Sequence, residues 1–142
     1  MSSPTDHLTR DDIEFLARPL YGILSTASGP QPPQPRPVWF ENTDDEAVQL
    51  FTGPETLKVR RLRRDPRASL LVASPVGERE RWVSIAGHVT LETEGADQLV
   101  SRLFARYWGP DASNRADELA GMLDADWIRV LLHPEKVSRF IN

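Results

Sequence analysis

The sequence predicts a mainly β protein, an antiparallel β-barrel with helical trimmings, folded as one domain over residues 1–142. Two observations carry that expectation. Short apolar or alternating runs recur along the chain, enough for six or seven strands. Helical patterns are too sparse for a parallel α/β sheet, which needs a helix after nearly every strand. The bulk numbers agree with a small enzyme or binding protein. Seventeen Lys and Arg stand against twenty-one Asp and Glu, a net charge of −4 that argues against a dedicated nucleic-acid binder. The absence of cysteine excludes disulfides, thiolate metal sites and a cysteine nucleophile. No apolar run approaches membrane-spanning length, and "MSSPTDHLTRDDIEF" has no apolar core of a leader, so a soluble, cytoplasmic protein is expected, with no membrane partner. Residues 1–8 are expected to form a flexible N-terminus.

The elements follow in order. Thr9, with Asp11 and Asp12 behind it, caps a helix that Arg18-Pro19 stops. "LYGILST" (20–26) is a buried strand, and "ASGPQPPQP" (27–35) has too many prolines to donate ladder hydrogen bonds. "RPVWFEN" (36–42) and "VQLFT" (48–52) flank the polar turn "TDDEA" and predict a hairpin. A helix from about Pro54 to Arg64 follows, ended by Asp65-Pro66. "ASLLVAS" (68–74) is a buried strand. In "WVSIAGHVTLET" (82–93), Val83, Ile85, Gly87, Val89 and Leu91 share one face, and Trp82, Ser84, Ala86, His88 and Thr90 the other. Two helices fit "ADQLVSRLFARYWG" and "ADELAGMLD", and "WIRVLLHPEKVSRFI" (127–141) closes the chain with one or two strands.

The 54–64 helix holds most of an unusual concentration of charge. Lys58, Arg60, Arg61, Arg63, Arg64 and Arg67 fall within ten residues of an acidic chain. At 100° per residue Lys58 and Arg61 share a face, Arg60, Arg63 and Arg64 point elsewhere, and Val59 and Leu62 form an apolar stripe. The second group reads as solvated surface. Lys58 lies near the helix start, where free amides and the helix dipole favour an anion, and the Thr56 hydroxyl precedes it, so this turn is a candidate phosphate seat. A phosphate-backbone reading of the same cations is opposed by the net charge. His7, His88 and His133 are isolated in sequence, which gives no metal-site spacing. Ser25 and Ser84 have no base nearby in sequence, and the four tryptophans (39, 82, 108, 127) read as core or interface. With no acid–base machinery in the inventory, redox chemistry would have to come from a cofactor.

The order "RPVWF", "LFTGPETLKVRRLRRDPRASLLV", "RWVSIAGHVTL" resembles the flavin- and deazaflavin-binding split β-barrel family, which includes pyridoxamine-phosphate-oxidase-like proteins and F-420-dependent oxidoreductases. The "LKVRRLRRDPRASLLV" part looks like the F-420 branch. The resemblance implies a six-stranded antiparallel split barrel, FMN or F-420 as cofactor, and a homodimer with intersubunit cofactor clefts. It implies that Lys58 contacts the cofactor phosphate, and that Phe51 and Thr52 lie along the ribityl chain and phosphate. Arg36, Pro37, Val38 and Trp39 would back the ring, and Trp82 would reach across from a partner subunit. Arg61 stands where that branch often has asparagine. Leu57 stands where pyridoxamine-phosphate oxidases carry a phosphate-binding arginine, and no basic substrate-phosphate site is recognisable in "KVSRFIN"; both departures speak against pyridoxal-phosphate synthesis. The expected activity is hydride transfer to or from a small conjugated substrate, and the alternative is a non-catalytic flavin, F-420 or tetrapyrrole binding protein. An outward Trp82 and Ala86 would be covered by an isologous dimer.

Overall fold

The computed structural model describes residues 4–142. The first helix, α1 (Arg10–Leu16), is set by a reciprocal cap. Thr9 Oγ1 accepts from the Asp12 N–H at 3.2 Å, and the Asp12 carboxylate accepts from the Thr9 N–H at 2.8 Å. Seven strands then form one sheet: β1 (Gly22–Thr26), β2 (Arg36–Val38), β3 (Glu41–Asn42), β4 (Val48–Thr52), β5 (Arg67–Ala73), β6 (Arg81–Glu92) and β7 (Ile128–Ile141). Helix α2 (Leu57–Arg64) sits between β4 and β5, and α3 (Ala96–Trp108) and α4 (Ala116–Leu123), joined by a 3-10 turn, fill the gap before β7.

The sheet order is β2-β1-β5-β6-β7-β4-β3 with antiparallel pairing throughout. Its two outermost strands are joined only by Trp39 and Phe40. Three Cα–Cα steps reach about 11 Å at most, so the sheet must curl until its edges meet. This is the split barrel. The count is seven strands rather than six because the 36–42 run breaks in the middle. Only Glu41–Asn42 makes the expected hairpin with β4, whereas Arg36–Val38 pairs with β1 at the opposite edge. The Tyr107 hydroxyl holds the break, donating to Leu20 O at 2.7 Å and accepting from the Phe40 N–H at 3.1 Å. The 127–141 segment is a single long strand.

The core fills the curl with Leu16, Leu24, Phe40, Leu50, Leu70, Ile85, Val130 and Leu132, drawn from both halves of the sheet. The alternation in 82–93 is realised: Val83, Ile85, Gly87 and Val89 are buried, and Ala86, His88 and Thr90 are exposed. Gly87 marks a register shift between β6 and β7, where a Cβ would lie 1.9 Å from the His133 carbonyl oxygen. That close backbone approach requires glycine.

The expected flexible N-terminus is corrected over 5–8; its first three residues lie outside those described. Thr5 and Val137 exchange backbone hydrogen bonds of 2.9 and 2.7 Å, and Leu8 is buried in the core. Beside them Asp12 and Arg139 form a buried ion pair, with three guanidinium–carboxylate contacts of 2.7 to 3.1 Å. Burial alone would push the Asp12 carboxyl up, but the hydrogen bonds from Arg139 and Thr9 outweigh it and hold the group below the usual carboxylate range.

A depressed folded-state pKa contributes stability above the unfolded value of 3.8, lost as pH falls through the folded one. Urea unfolding between pH 7 and pH 2 should show this loss in the wild type. Asp12→Asn, which removes the carboxylate charge that faces Arg139, should cost about 3 kcal/mol or more at pH 7 and show less acid sensitivity. An unchanged midpoint at pH 7 would show that the pair does not tie the N-terminus to β7.

Candidate functional site

The charged segment folds as a short helix whose start is built by one side chain. Thr56 is the N-cap, with φ −74° and ψ 159°, and its hydroxyl accepts from the Val59 N–H at 3.3 Å. The helix therefore begins at Leu57 rather than Pro54, and Lys58 is its second residue. The Thr56 hydroxyl also reaches Gly53 O at 3.2 Å and Thr52 Oγ1 at 3.4 Å, so it organises the turn from β4 into α2. Val59 and Leu62 are buried against the barrel, which turns Lys58 and Arg61 sideways and leaves Arg60, Arg63 and Arg64 in solvent.

Beside this helix start lies a cleft of about 410 Å³ between α2, the end of β1 and β2. It brings together six of the residues singled out in the sequence: Arg36, Pro37, Thr52, Thr56, Lys58 and Arg61. Leu24, Thr26, Gln34 and Leu57 complete the wall. Three cations line this cleft and no carboxylate does. Burial first, and then repulsion from Arg36, hold the Lys58 ammonium below the ordinary lysine range. The arrangement has the electrostatics of an anion seat: unpaired positive charge, a helix N-terminus and partly excluded water.

The other four sequence candidates stand outside this lining. Val38 ends β2 and packs on the core. Trp39 stacks on Tyr107 with centroids 5.0 Å apart and planes 6° from parallel, and meets the edge of Trp108 at 5.8 Å. Phe51 stands edge-on to Trp127 at 5.0 Å, and Trp82 stacks on Phe140 at 6.2 Å on the outside of the sheet. Three of the unforeseen wall residues had little signal. Leu24 and Thr26 continue the core-face alternation of β1, so nothing in the sequence separates them from ordinary core, and Gln34 sits in a proline-rich loop whose path only the fold sets. His88 and His133, remote in sequence, are cross-strand partners with rings 4.9 Å apart. Among the described residues no group of three His, Cys, Asp or Glu side chains is placed to hold a metal. No helix among them is long and apolar enough to cross a membrane.

The family model for pyridoxamine 5'-phosphate oxidase matches residues 9–132, most of the chain and all of the cleft wall. The chain belongs to the pyridoxamine 5'-phosphate oxidase family. Solved structures share the fold. A conserved hypothetical protein from Mycobacterium tuberculosis superposes with a TM-score of 0.78 at 20% identity, covering 99% of this chain and 90% of that one. An F420 reductase superposes at 0.69 with 25% identity, over 88% of this chain and 94% of the other. A haem-binding protein from Mycobacterium smegmatis superposes at 0.59 with 24% identity, over 87% of this chain but 50% of its own. Among curated proteins, none matches significantly.

In this family member the unpaired charge has a cost in the ligand-free state. Lys58→Met keeps the side-chain volume and removes one of the three cleft cations. It should stabilise the ligand-free protein at pH 7 by up to about 1 kcal/mol, as relief of functional strain does elsewhere. The sign follows from the lowered lysine pKa: the charged form is disfavoured by folding, so the gain should shrink as pH rises above the wild-type Lys58 pKa. Thermal melts at pH 7 and pH 10.5 test this, and a destabilised variant at pH 7 would contradict it.

Proposed function

We propose that the cleft seats the phosphate of FMN or of the deazaflavin F-420, and that the protein is an oxidoreductase exchanging hydride between that cofactor and a small conjugated substrate. The observation that carries the reading is the gathering of Arg36, Lys58 and Arg61 around one cavity with no acid among its walls. Membership of the pyridoxamine 5'-phosphate oxidase family and the likeness to an F420 reductase support the cofactor class. A tetrapyrrole is less well supported, because no His, Met, Cys or Tyr lines the cleft to ligate a haem iron.

The residues present fit a phosphorylated ligand. Lys58 and Arg61 approach from one helix face and Arg36 from the facing strand, so an anion between them offsets a repulsion already present in the fold. Thr52 and Thr56 place neutral hydroxyls at the helix start. Pro37 and Leu57 supply apolar surface at the mouth, where Leu57 is 51% exposed. When bound, the cofactor supplies the hydride chemistry; the protein's part is to hold it, orient it and keep water from its ring.

We propose that a second copy of the chain closes the cleft. The outer face of β6 carries exposed Ala86 and, four residues along the same face, half-buried Trp82, a surface suited to an isologous homodimer in which Trp82 reaches the other copy's cleft. Sedimentation should give twice the 16.0 kDa chain mass. A monomer would remove the intersubunit part of this reading.

Lys58→Ala should weaken FMN or F-420 by about 1.5–3 kcal/mol, the loss expected for a charge-assisted hydrogen bond. Unchanged affinity in a titration would take Lys58 out of the site. Turnover is tested by anaerobic stopped-flow, mixing protein and reduced cofactor with conjugated acceptors. Oxidation faster than without protein supports the enzyme, and tight binding with no oxidation by any acceptor supports a carrier.

A further inference from the structure

The outer face of β6 and β7 holds a pair of imidazoles that the cofactor reading does not use. His88 and His133 are cross-strand partners, with ring centroids 4.9 Å apart and planes 23° from parallel. The Gly87 bulge builds the surroundings of the pair. Gly87 stands opposite Pro134 and Ala86 opposite Lys136, so Glu135 is an extra residue with no partner on β6. Bulges re-aim side chains, and here the Glu135 carboxylate turns back to His88 Nδ1 at 3.0 Å. Thr90, two residues along the same face as His88, meets His133 Nε2 with its hydroxyl at 2.8 Å.

Each ring is thus held through one nitrogen by a placed oxygen. Among the described residues nothing bonds the other nitrogen, Nε2 of His88 or Nδ1 of His133. A phenyl or phenol ring would stack across the strands as well; what imidazole adds is a lone pair. An imidazole tied at one nitrogen to an oxygen acceptor is the arrangement that orients metal-binding histidines.

The charge around the pair favours a cation. His133 lines a cavity of about 480 Å³ whose wall carries Glu41, Asp44, Asp45 and Glu92 against Arg102 and Arg129. The two arginines are matched by Glu41 and Glu92, which leaves the charges of Asp44 and Asp45 uncompensated in that wall. Arg67, opposite His88 on β5, is neutralised by Asp65 at 2.6 Å.

We propose that His88 and His133 form a two-imidazole site for a divalent transition-metal ion, bound through His88 Nε2 and His133 Nδ1 after a turn of these surface rings about their Cβ–Cγ bonds. The site stands apart from the cation-lined cleft and does not rest on the phosphate reading. Glu135 positions His88 and is not itself a ligand, in keeping with the lack of any three-ligand group among the described residues. Water fills the remaining positions, since a closed structural site takes four protein ligands. Imidazole suits Cu²⁺, Ni²⁺ and Zn²⁺ rather than Mg²⁺ or Ca²⁺, and affinity among these peaks at Cu²⁺.

Isothermal titration of the untagged protein with Cu²⁺ and with Ni²⁺ tests the site. One ion per chain is expected. Glu135→Gln should weaken it by about tenfold, the cost of losing an outer partner, and His88→Gln or His133→Gln by more. Electron paramagnetic resonance of the Cu²⁺ form should show two imidazole nitrogens in the wild type and one in either histidine variant. No binding to the wild type, Cu²⁺ held there by a single nitrogen, or unchanged affinity in either histidine variant would overturn the inference. Loss of the site in His7→Gln would overturn it too, by moving the ion to the imidazole beside Asp6.

Discussion

The Tyr107 hydroxyl fixes the point on which the rest of the architecture turns. It ties Leu20 O, before β1, to the Phe40 N–H, after β2, and so holds the break that sends the two halves of one strand to opposite edges of the sheet. The stack of Trp39 on the same ring locks the break from the other side. Burial first pushes the Tyr107 phenol up from its ordinary value, which keeps it in the protonated form that donates. Without that break a continuous 36–42 strand would pair wholly with β4, β1 would lose its outer neighbour, and Arg36 would not face Lys58.

Closure of the barrel then sets the electrostatics. Helix α2 buries Val59 and Leu62 against the barrel, a narrow contact that fixes the angle at which Lys58 and Arg61 meet the β1–β2 corner. The Thr56 cap defines the first turn, so Lys58 falls where unpaired amides add to its own charge. Three arginines elsewhere are each matched by a carboxylate. Arg139 meets Asp12, Arg129 meets Glu92 and Gln49, and Arg102 meets Glu41. The wall of the cation-lined cleft holds three cations and no carboxylate, which makes it a candidate site.

Local chemistry made much of this legible in the sequence. The Thr9–Asp12 spacing is a capping box within four residues, the period-2 pattern of 82–93 states which face is buried, and Asp65-Pro66 stops α2 without outside help. The features that could not be read are those decided by distant partners. The break at Trp39–Phe40 depends on a tyrosine in α3, the anchoring of the N-terminal segment depends on β7, and the pairing of His88 with His133 depends on a register set by the Gly87 bulge. Gly87 itself was visible as a core-face residue, but its reason, the approach of the His133 carbonyl, was not. Lys58 was identified from the helix start, whereas Thr26 was hidden because a core-facing threonine at a strand end looks like any other.

We propose that the charge left unbalanced by Arg36, Lys58 and Arg61 is balanced by the phosphate of a bound cofactor. A crystal structure of the protein soaked with FMN, and another with F-420, tests it most directly. Phosphate density is expected within hydrogen-bond distance of the Lys58 Nζ, between the Arg36 and Arg61 guanidinium groups, in at least one of the two. A cofactor bound with its phosphate elsewhere, for example in the separate cavity lined by Arg79 and Arg81, would contradict it.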